Sequence, residues 1–311
     1  MSIRNRKRGN SSRHPGRSWV RKVLDLFGGE SAARSPKRVA GRRGGSNSLG
    51  PVFTTERLED RRVMATLDYD AANGIVTLAM SRDDQFSMDV SGGKIRFVDT
   101  LDNSITLTGN ASAFFDLFNT SGGGSTNETA VAKFDADIAG FRTIRVTGRD
   151  GSEALTIGDT NGVQFPGLFV EASVDATFFD TPVFETLDIA TNSVIVHSPE
   201  IVLIQNLVID TNNFSQEGDV MLDDPNTEND EINATTSGGQ SLTISAGDGV
   251  VTLADIGEVT RLGSVVVNSA SYVYFTGDIE TDNGDVNIDA DWEIVFQGDN
   301  NADVSTRGGD V

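Results

Sequence analysis

The chain has 311 residues, 46 acidic against 25 basic side chains, a formal net charge of −21 and no Cys. Without Cys there is no disulfide scaffold, thiolate metal site or cysteine nucleophile, and two His leave little for metal or acid–base chemistry. No stretch approaches 18 apolar residues, so no transmembrane helix is predicted.

Charge divides the chain into a head and a body. Residues 1–65 hold 16 Lys/Arg and 5 Asp/Glu, a net of +11, and residues 66–311 hold 9 and 41, a net of −32. The first 50 residues are rich in Arg, Gly and Ser; too little apolar surface is present to offset chain entropy, which predicts a disordered basic leader over 1–65. One exception is Trp19–Phe27, where Trp19, Val20, Val23, Leu24 and Phe27 recur at helical spacing. At that length a transient helix is expected rather than a membrane-surface one. Nucleic-acid binding by the head would need interleaved aromatics or a folded module, and only Trp19 and Phe27 are present.

At the end of the head stands Leu58-Glu59-Asp60-Arg61-Arg62-Val63-Met64. This stretch, within 56–65, resembles the LEPR-XLL motif of large exported and surface proteins of planctomycete bacteria. Leu58, Glu59, Arg61, Val63 and Met64 carry the likeness; Asp60 replaces the Pro, and Val63-Met64 the Leu pair. The resemblance implies a targeting motif and export to the cell surface or beyond, and says nothing about chemistry.

The acidic body reads as short alternating runs punctuated by Gly, Asn and Asp, beginning with Asn73-Gly74-Ile75-Val76-Thr77-Leu78 in hairpin or strand style. Residues 66–180 are predicted to be a less regular β-rich region or cap, with Phe114-Phe115, Phe118 and Phe178-Phe179 as candidate core aromatics. From 181 to 311 a pattern recurs. Apolar pairs at i, i+2 fall at Leu187/Ile189, Val194/Val196, Ile201/Leu203 and Leu207/Ile209. A shift of 21 residues places Val265 on Val286, Val267 on Ile288, Val273 on Ile294 and Phe275 on Phe296, with Gly263 on Gly284. Shifts of 22 or 23 residues backwards place Leu242/Ile244 on Val265/Val267, Val251/Leu253 on Val273/Phe275, and Val220/Leu222 on Leu242/Ile244. Ile279–Val286 matches Val304–Val311, with 300–303 as an insertion.

An i, i+2 pair puts two side chains on one strand face. Three such strands are too few for a closed core, whereas stacked repeats bury a continuous apolar column. The predicted fold is therefore all-β: a right-handed parallel β-helix (β-solenoid) of about 20–25 residues per coil. A sandwich of antiparallel hairpins is the competing architecture; it explains alternation but not a register held over several coils. Leu262 to Val286 is similar to coils of filamentous-haemagglutinin-like adhesins, which implies a surface protein used in adhesion or cell-wall structure.

The sequence stops at Gly308-Gly309-Asp310-Val311 in the middle of a strand pattern. A solenoid needs a polar end cap, which leads us to expect the N-terminal part of a larger repeat protein, with self-association through open solenoid ends.

Chemistry is sparse. Glycoside hydrolysis needs two carboxyl groups about 5–9.5 Å apart on one face, and the neighbours Asp83-Asp84 and Asp223-Asp224 would point to opposite faces of a strand. Between 150 and 311 the cationic side chains are Arg261 and Arg307, far apart in sequence. His197 is expected at a strand end, facing a turn. The acidic stretch 223–231 offers Asp223, Asp224, Glu228, Asp230 and Glu231 as a calcium loop, against the simpler reading of a solvated acidic turn; Asp299, Asp303 and Asp310 form a weaker second set. No other cofactor is expected. Tyr272 and Tyr274, alternating with Val273 and Phe275, should face outwards. The functional expectation is a non-enzymatic, secreted or cell-surface, structural or adhesin-like protein. Its partner would be a cell-surface or matrix component such as a polysaccharide, and not nucleic acid. The alternative is a carbohydrate-binding or carbohydrate-cleaving β-helix.

Overall fold

A computed structural model describes residues 64–311 except 102–103, 123–124, 135–139, 150–151, 159–165, 172, 181–185, 192, 213–217, 224–229 and 298–302. The described residues are almost entirely strand and turn. The N-terminal elements are β1 (Ala65–Asp70), β2 (Ile75–Ala79), β3 (Gln85–Ser91), β4 (Lys94–Asp99), β5 (Ile105–Gly109), the one-turn helix α1 (Ala111–Phe114), β6 (Phe115–Gly122) and β7 (Ser125–Ala132). Next come β8 (Thr143–Thr147), β9 (Ala154–Ile157), β10 (Gly167–Val170) and β11 (Ala176–Phe179).

Five triplets follow. The first is β12 (Thr186–Ala190), β13 (Val194–Val196) and β14 (Glu200–Leu203); the second is β15 (Asn206–Asp210), β16 (Val220–Leu222) and β17 (Glu231–Ala234). The third is β18 (Leu242–Ser245), β19 (Val250–Leu253) and β20 (Asp255–Ile256); the fourth is β21 (Val265–Ser269), β22 (Tyr272–Phe275) and β23 (Ile279–Asp282). The last is β24 (Val286–Ile288), β25 (Glu293–Phe296) and β26 (Val304–Arg307).

These strands form three sheets. Sheet I runs β25-β22-β19-β16-β13-β10-β8-β2-β1-β5, sheet II runs β26-β23-β20-β17-β14-β11-β9-β3-β4-β7-β6, and sheet III runs β12-β15-β18-β21-β24. Each triplet contributes one strand to sheet III, then one to sheet I, then one to sheet II. Within a sheet every triplet strand pairs in parallel with its counterpart three strands later. The parallel order extends before residue 181, through β2–β8–β10 and β3–β9–β11.

Burial alternates with the strand period, as in Val250–Leu253 and Tyr272–Phe275. The inward residues therefore stack rung on rung. On sheet I, Val146, Val170, Val196, Leu222, Leu253, Phe275 and Phe296 stand in register. All but Phe296 are fully buried, and Phe275 stacks on Phe296 with centroids 5.2 Å apart. On sheet III the column is Leu207, Leu242, Val265 and Val286. The strands are short and rich in Val, Ile and Leu, the side chains that pack best on a pleated surface.

Most of the expected register is present: Val265/Val267 lies on Val286/Ile288, Leu242/Ile244 on Val265/Val267, and Val273/Phe275 on Ile294/Phe296. One expected match fails. Val220/Leu222 pairs with Val251/Leu253 on sheet I, while Leu242/Ile244 pairs with Leu207/Ile209 on sheet III. The expected spacing of about 20–25 residues fails at the same place, since 35 positions separate Leu207 from Leu242. The extra length lies in the connections 211–219 and 223–230, outside the paired strands, where insertions leave the stacking undisturbed.

The N-terminal part adds antiparallel pairs: β1 with β2, β3 with β4, β4 with β7, and β6 with β7. The β1–β2 turn is built by Asp70, whose carboxylate accepts hydrogen bonds from the Asn73 side chain and the Ala72 amide and is held below its ordinary pKa by them. Gly74 closes it with φ +71°, a conformation that favours glycine. Of the expected core aromatics, Phe115 and Phe179 are buried, but Phe118 is 51% exposed because it falls on the outer face of β6. Phe115 instead stacks on Phe141 at 5.6 Å.

Candidate functional site

The outer faces of sheets I and II differ in chemistry. On sheet I the outward residues in register are Arg145, Phe169, Ile195, Met221, Thr252, Tyr274 and Val295. From Phe169 onwards each is half-buried. Arg145 lies over the Phe169 ring, 5.7 Å from its centroid, and pairs with Glu171. His197 follows β13 and meets the Phe169 ring edge-on at 5.3 Å. Tyr272 and Tyr274 are half-exposed between buried Val273 and Phe275. Trp292, just before β25, is 75% exposed and lies 6.5 Å from Tyr272.

Sheet II presents a carboxylate ladder. Glu200, Glu231 and Asp255 are in register. Asp255 continues to Asp278, whose amide donates to Asp255 Oδ1 at 2.6 Å, and Asp278 to Asp303, whose amide donates to Asp278 Oδ1 at 2.8 Å. Rungs of a sheet lie about 4.8 Å apart, so like charges are held close. Burial and then Glu231 raise the pKa of Glu200; burial and then the Asp278 charge raise that of Asp255, against the pull of the Asp278 amide. Glu258, beside the ladder, is raised by burial and then by Glu231, Asp255 and Glu280.

The two arginines distant in sequence come together here. Arg261 and Arg307 line one shallow depression of about 450 Å³ with Glu258 and Glu280. Arg261 is engaged by Glu280 at 2.6 Å, which neutralises it.

The calcium-loop candidates are only partly placed. Asp223 and Asp230 are buried, at 5% and 4% exposure, on either side of residues 224–229. Glu231 opens β17 and belongs to the ladder. Asp224 and Glu228 lie outside the described residues, as does Asp299. Among the described residues no group of three or more His, Cys, Asp or Glu is arranged to hold a metal ion. Asp84 is buried, its carboxylate accepting hydrogen bonds from the Ser81 amide and hydroxyl, while Asp83 has φ +62° and caps the Ser152 amide. The two neighbours thus do separate jobs. Of the targeting motif, Leu58, Glu59, Arg61 and Val63 are outside the described residues; Met64 is half-exposed beside Thr106.

Two features escaped the sequence reading. The ladder has a readable signal: an acidic residue directly before Ile or Val, at Glu200-Ile201, Glu231-Ile232, Asp255-Ile256, Asp278-Ile279 and Asp303-Val304. Trp292 has no such signal, because it stands one residue outside the strand that gives the register.

No helix among the described residues is long and apolar enough to cross a membrane. Comparison with known proteins returns no matching family model, no matching curated protein and no matching solved structure.

Proposed function

We propose that the triplets are coils of a right-handed parallel β-helix, and that this is a non-enzymatic structural or adhesin-like protein of the cell surface or extracellular matrix. The observation that carries the reading is the fixed rotation of the chain through three sheets over five triplets. It spends the sequence on long outer faces of repeating side chains. Right-handedness follows from the strong preference of parallel crossovers for that hand. Binding through such faces needs no enclosed pocket, and in the depression that Arg261 and Arg307 share, Arg261 is already paired with Glu280. The motif-like Leu58–Met64 at the charge boundary supports export, and an acidic body suits a protein that must stay soluble outside the cell.

The test is protease shaving of intact cells of the source organism, followed by immunodetection of the acidic body. The expected result is loss of the body while a cytoplasmic marker survives. Full protection of the body until the cells are lysed overturns the assignment to the surface.

A further inference from the structure

We infer that Tyr272, Tyr274 and Trp292 form a binding surface for a neutral polysaccharide chain. The inference rests on the reading of the outer faces as contact surfaces, not on where the protein resides. Tyr272 and Tyr274 project from the same face of β22, their rings 6.3 Å apart and 17° from parallel. Trp292 is fixed by its amide, which donates to the Ser271 carbonyl at 3.0 Å. Its ring is 6.5 Å from Tyr272 and 15° from parallel. Three rings thus share one orientation on an exposed face, and most of the Trp292 surface is left to solvent.

Exposed aromatic rings with polar tips suit a partner that is itself apolar on its faces and hydroxylated at its edges. A pyranose ring is such a partner: its C–H face stacks on an aromatic ring and its hydroxyls turn outwards. Acceptors for those hydroxyls stand alongside, with Glu293 in register with Tyr272, Thr252 in register with Tyr274, and Asp291 next to Trp292.

Charge narrows the class further. Residues 262–306 contain nine Asp/Glu and no Lys or Arg. Acidic glycans, nucleic acid and a second copy of a body carrying −32 are all repelled by such a face. A cationic ligand would be attracted, but the aromatic cages that select quaternary ammonium ligands enclose the cation from several sides. Rings within 17° of parallel do not enclose. An uncharged sugar chain satisfies both the rings and the field.

The test is native affinity electrophoresis of the full chain in gels containing hydroxyethylcellulose, mixed-linkage β-glucan, polygalacturonate or no polymer. Retardation by a neutral glucan is expected, and none by polygalacturonate. One aromatic contact is worth up to about 1.5 kcal/mol beyond its area, so W292A should weaken binding roughly tenfold. Y272A/Y274A should abolish retardation while keeping the parent's far-UV circular dichroism and urea midpoint, whereas W292F, which keeps an aromatic face, should weaken binding less than W292A. Fluorescence of a W19F variant isolates Trp292, because the chain has only two Trp, and should change on adding the bound glucan. The proposal is overturned by mobility unchanged in every neutral gel, by retardation that Y272A/Y274A leaves intact, or by a surface that binds poly-lysine or a second copy instead. None of those results alters the outcome of protease shaving, so failure here is distinguishable from failure of the surface assignment.

Discussion

Glu153 is buried at a cost. It is 0% exposed, and neither carboxylate oxygen meets a hydrogen-bond partner among the described residues. Its backbone amide donates to Asp175 Oδ2 at 3.0 Å, and Asp84 stands one strand away on the other side, since Gln85 is in register with Ala154. The charged groups around it are Asp84, Asp175, Asp83 through Ser152, and the exposed Arg149. Burial pushes its pKa up to about 7; the nearby backbone amides of Glu153 and Arg149 pull the other way, and the Asp175 carboxylate adds to the push. A carboxyl group raised in the folded state holds its proton more tightly there than in the unfolded chain. Its stabilising contribution is therefore complete below the ordinary pKa near 4.5 and is lost as pH rises through about 7. At about 1.4 kcal/mol per pH unit the effect is at most about 3.5 kcal/mol. Glu153→Gln keeps the shape of the neutral acid. In urea unfolding the variant should match the parent at pH 4 and exceed it in midpoint at pH 8. Equal midpoints at both pH values would show that Glu153 does not hold its proton.

At the scale of the strand and turn, the apolar pairs made the register visible and hid which sheet each pair belongs to. Val220/Leu222 and Leu242/Ile244 are alike in chemistry, yet one lies on sheet I and the other on sheet III. Only the count of pairs per triplet separates them, and the connections 211–219 and 223–230 disturb that count. Of the antiparallel pairs before β8, Asn73-Gly74 announced the β1–β2 hairpin; the others were illegible for a related reason, since alternation gives the buried face but not the direction of the neighbouring strand. The glycine match was more informative than it looked. Gly238, Gly263, Gly284 and Gly309 form a column at the turns, and a Cβ on any of the last three would press on the carbonyl oxygen of the glycine before it. At Gly284 the blocking atom is the Gly263 carbonyl, which is backbone and cannot rotate away. Gly284→Ala should thus cost about 1–3 kcal/mol, as overpacking does. Ser305→Ala, on the exposed side of β26, should stay within about 0.5 kcal/mol. Urea midpoints at constant slope measure both. A neutral Gly284→Ala would mean that the turns do not stack this closely.

Over the whole molecule, stacking in parallel register has an electrostatic consequence that alternating antiparallel pairs avoid. A residue type that recurs at one position of the repeat meets its own kind on the next rung. For Val and Leu this builds the core. For the acidic residue that precedes each sheet II strand it builds Glu200–Glu231–Asp255–Asp278–Asp303. The ladder is offset in part by backbone amides, since Asp255 and Asp278 each accept one from the next rung. What remains is like-charge repulsion along one outer face of a body that already carries −32. Such repulsion keeps copies apart and resists edge-to-edge pairing, at a cost in stability. Raising ionic strength from about 0.01 M to about 1 M shortens the screening length from about 30 Å to about 3 Å, less than the rung spacing of about 4.8 Å. Thermal unfolding should therefore shift upwards with NaCl. The triple variant Glu231→Gln/Asp255→Asn/Asp278→Asn keeps every Oδ1 acceptor and removes three of the five ladder charges. It should unfold at a higher temperature than the parent at low salt and respond less to added salt. If parent and variant respond equally, the ladder is not what the salt is screening, and the cost lies in the charge of the body as a whole.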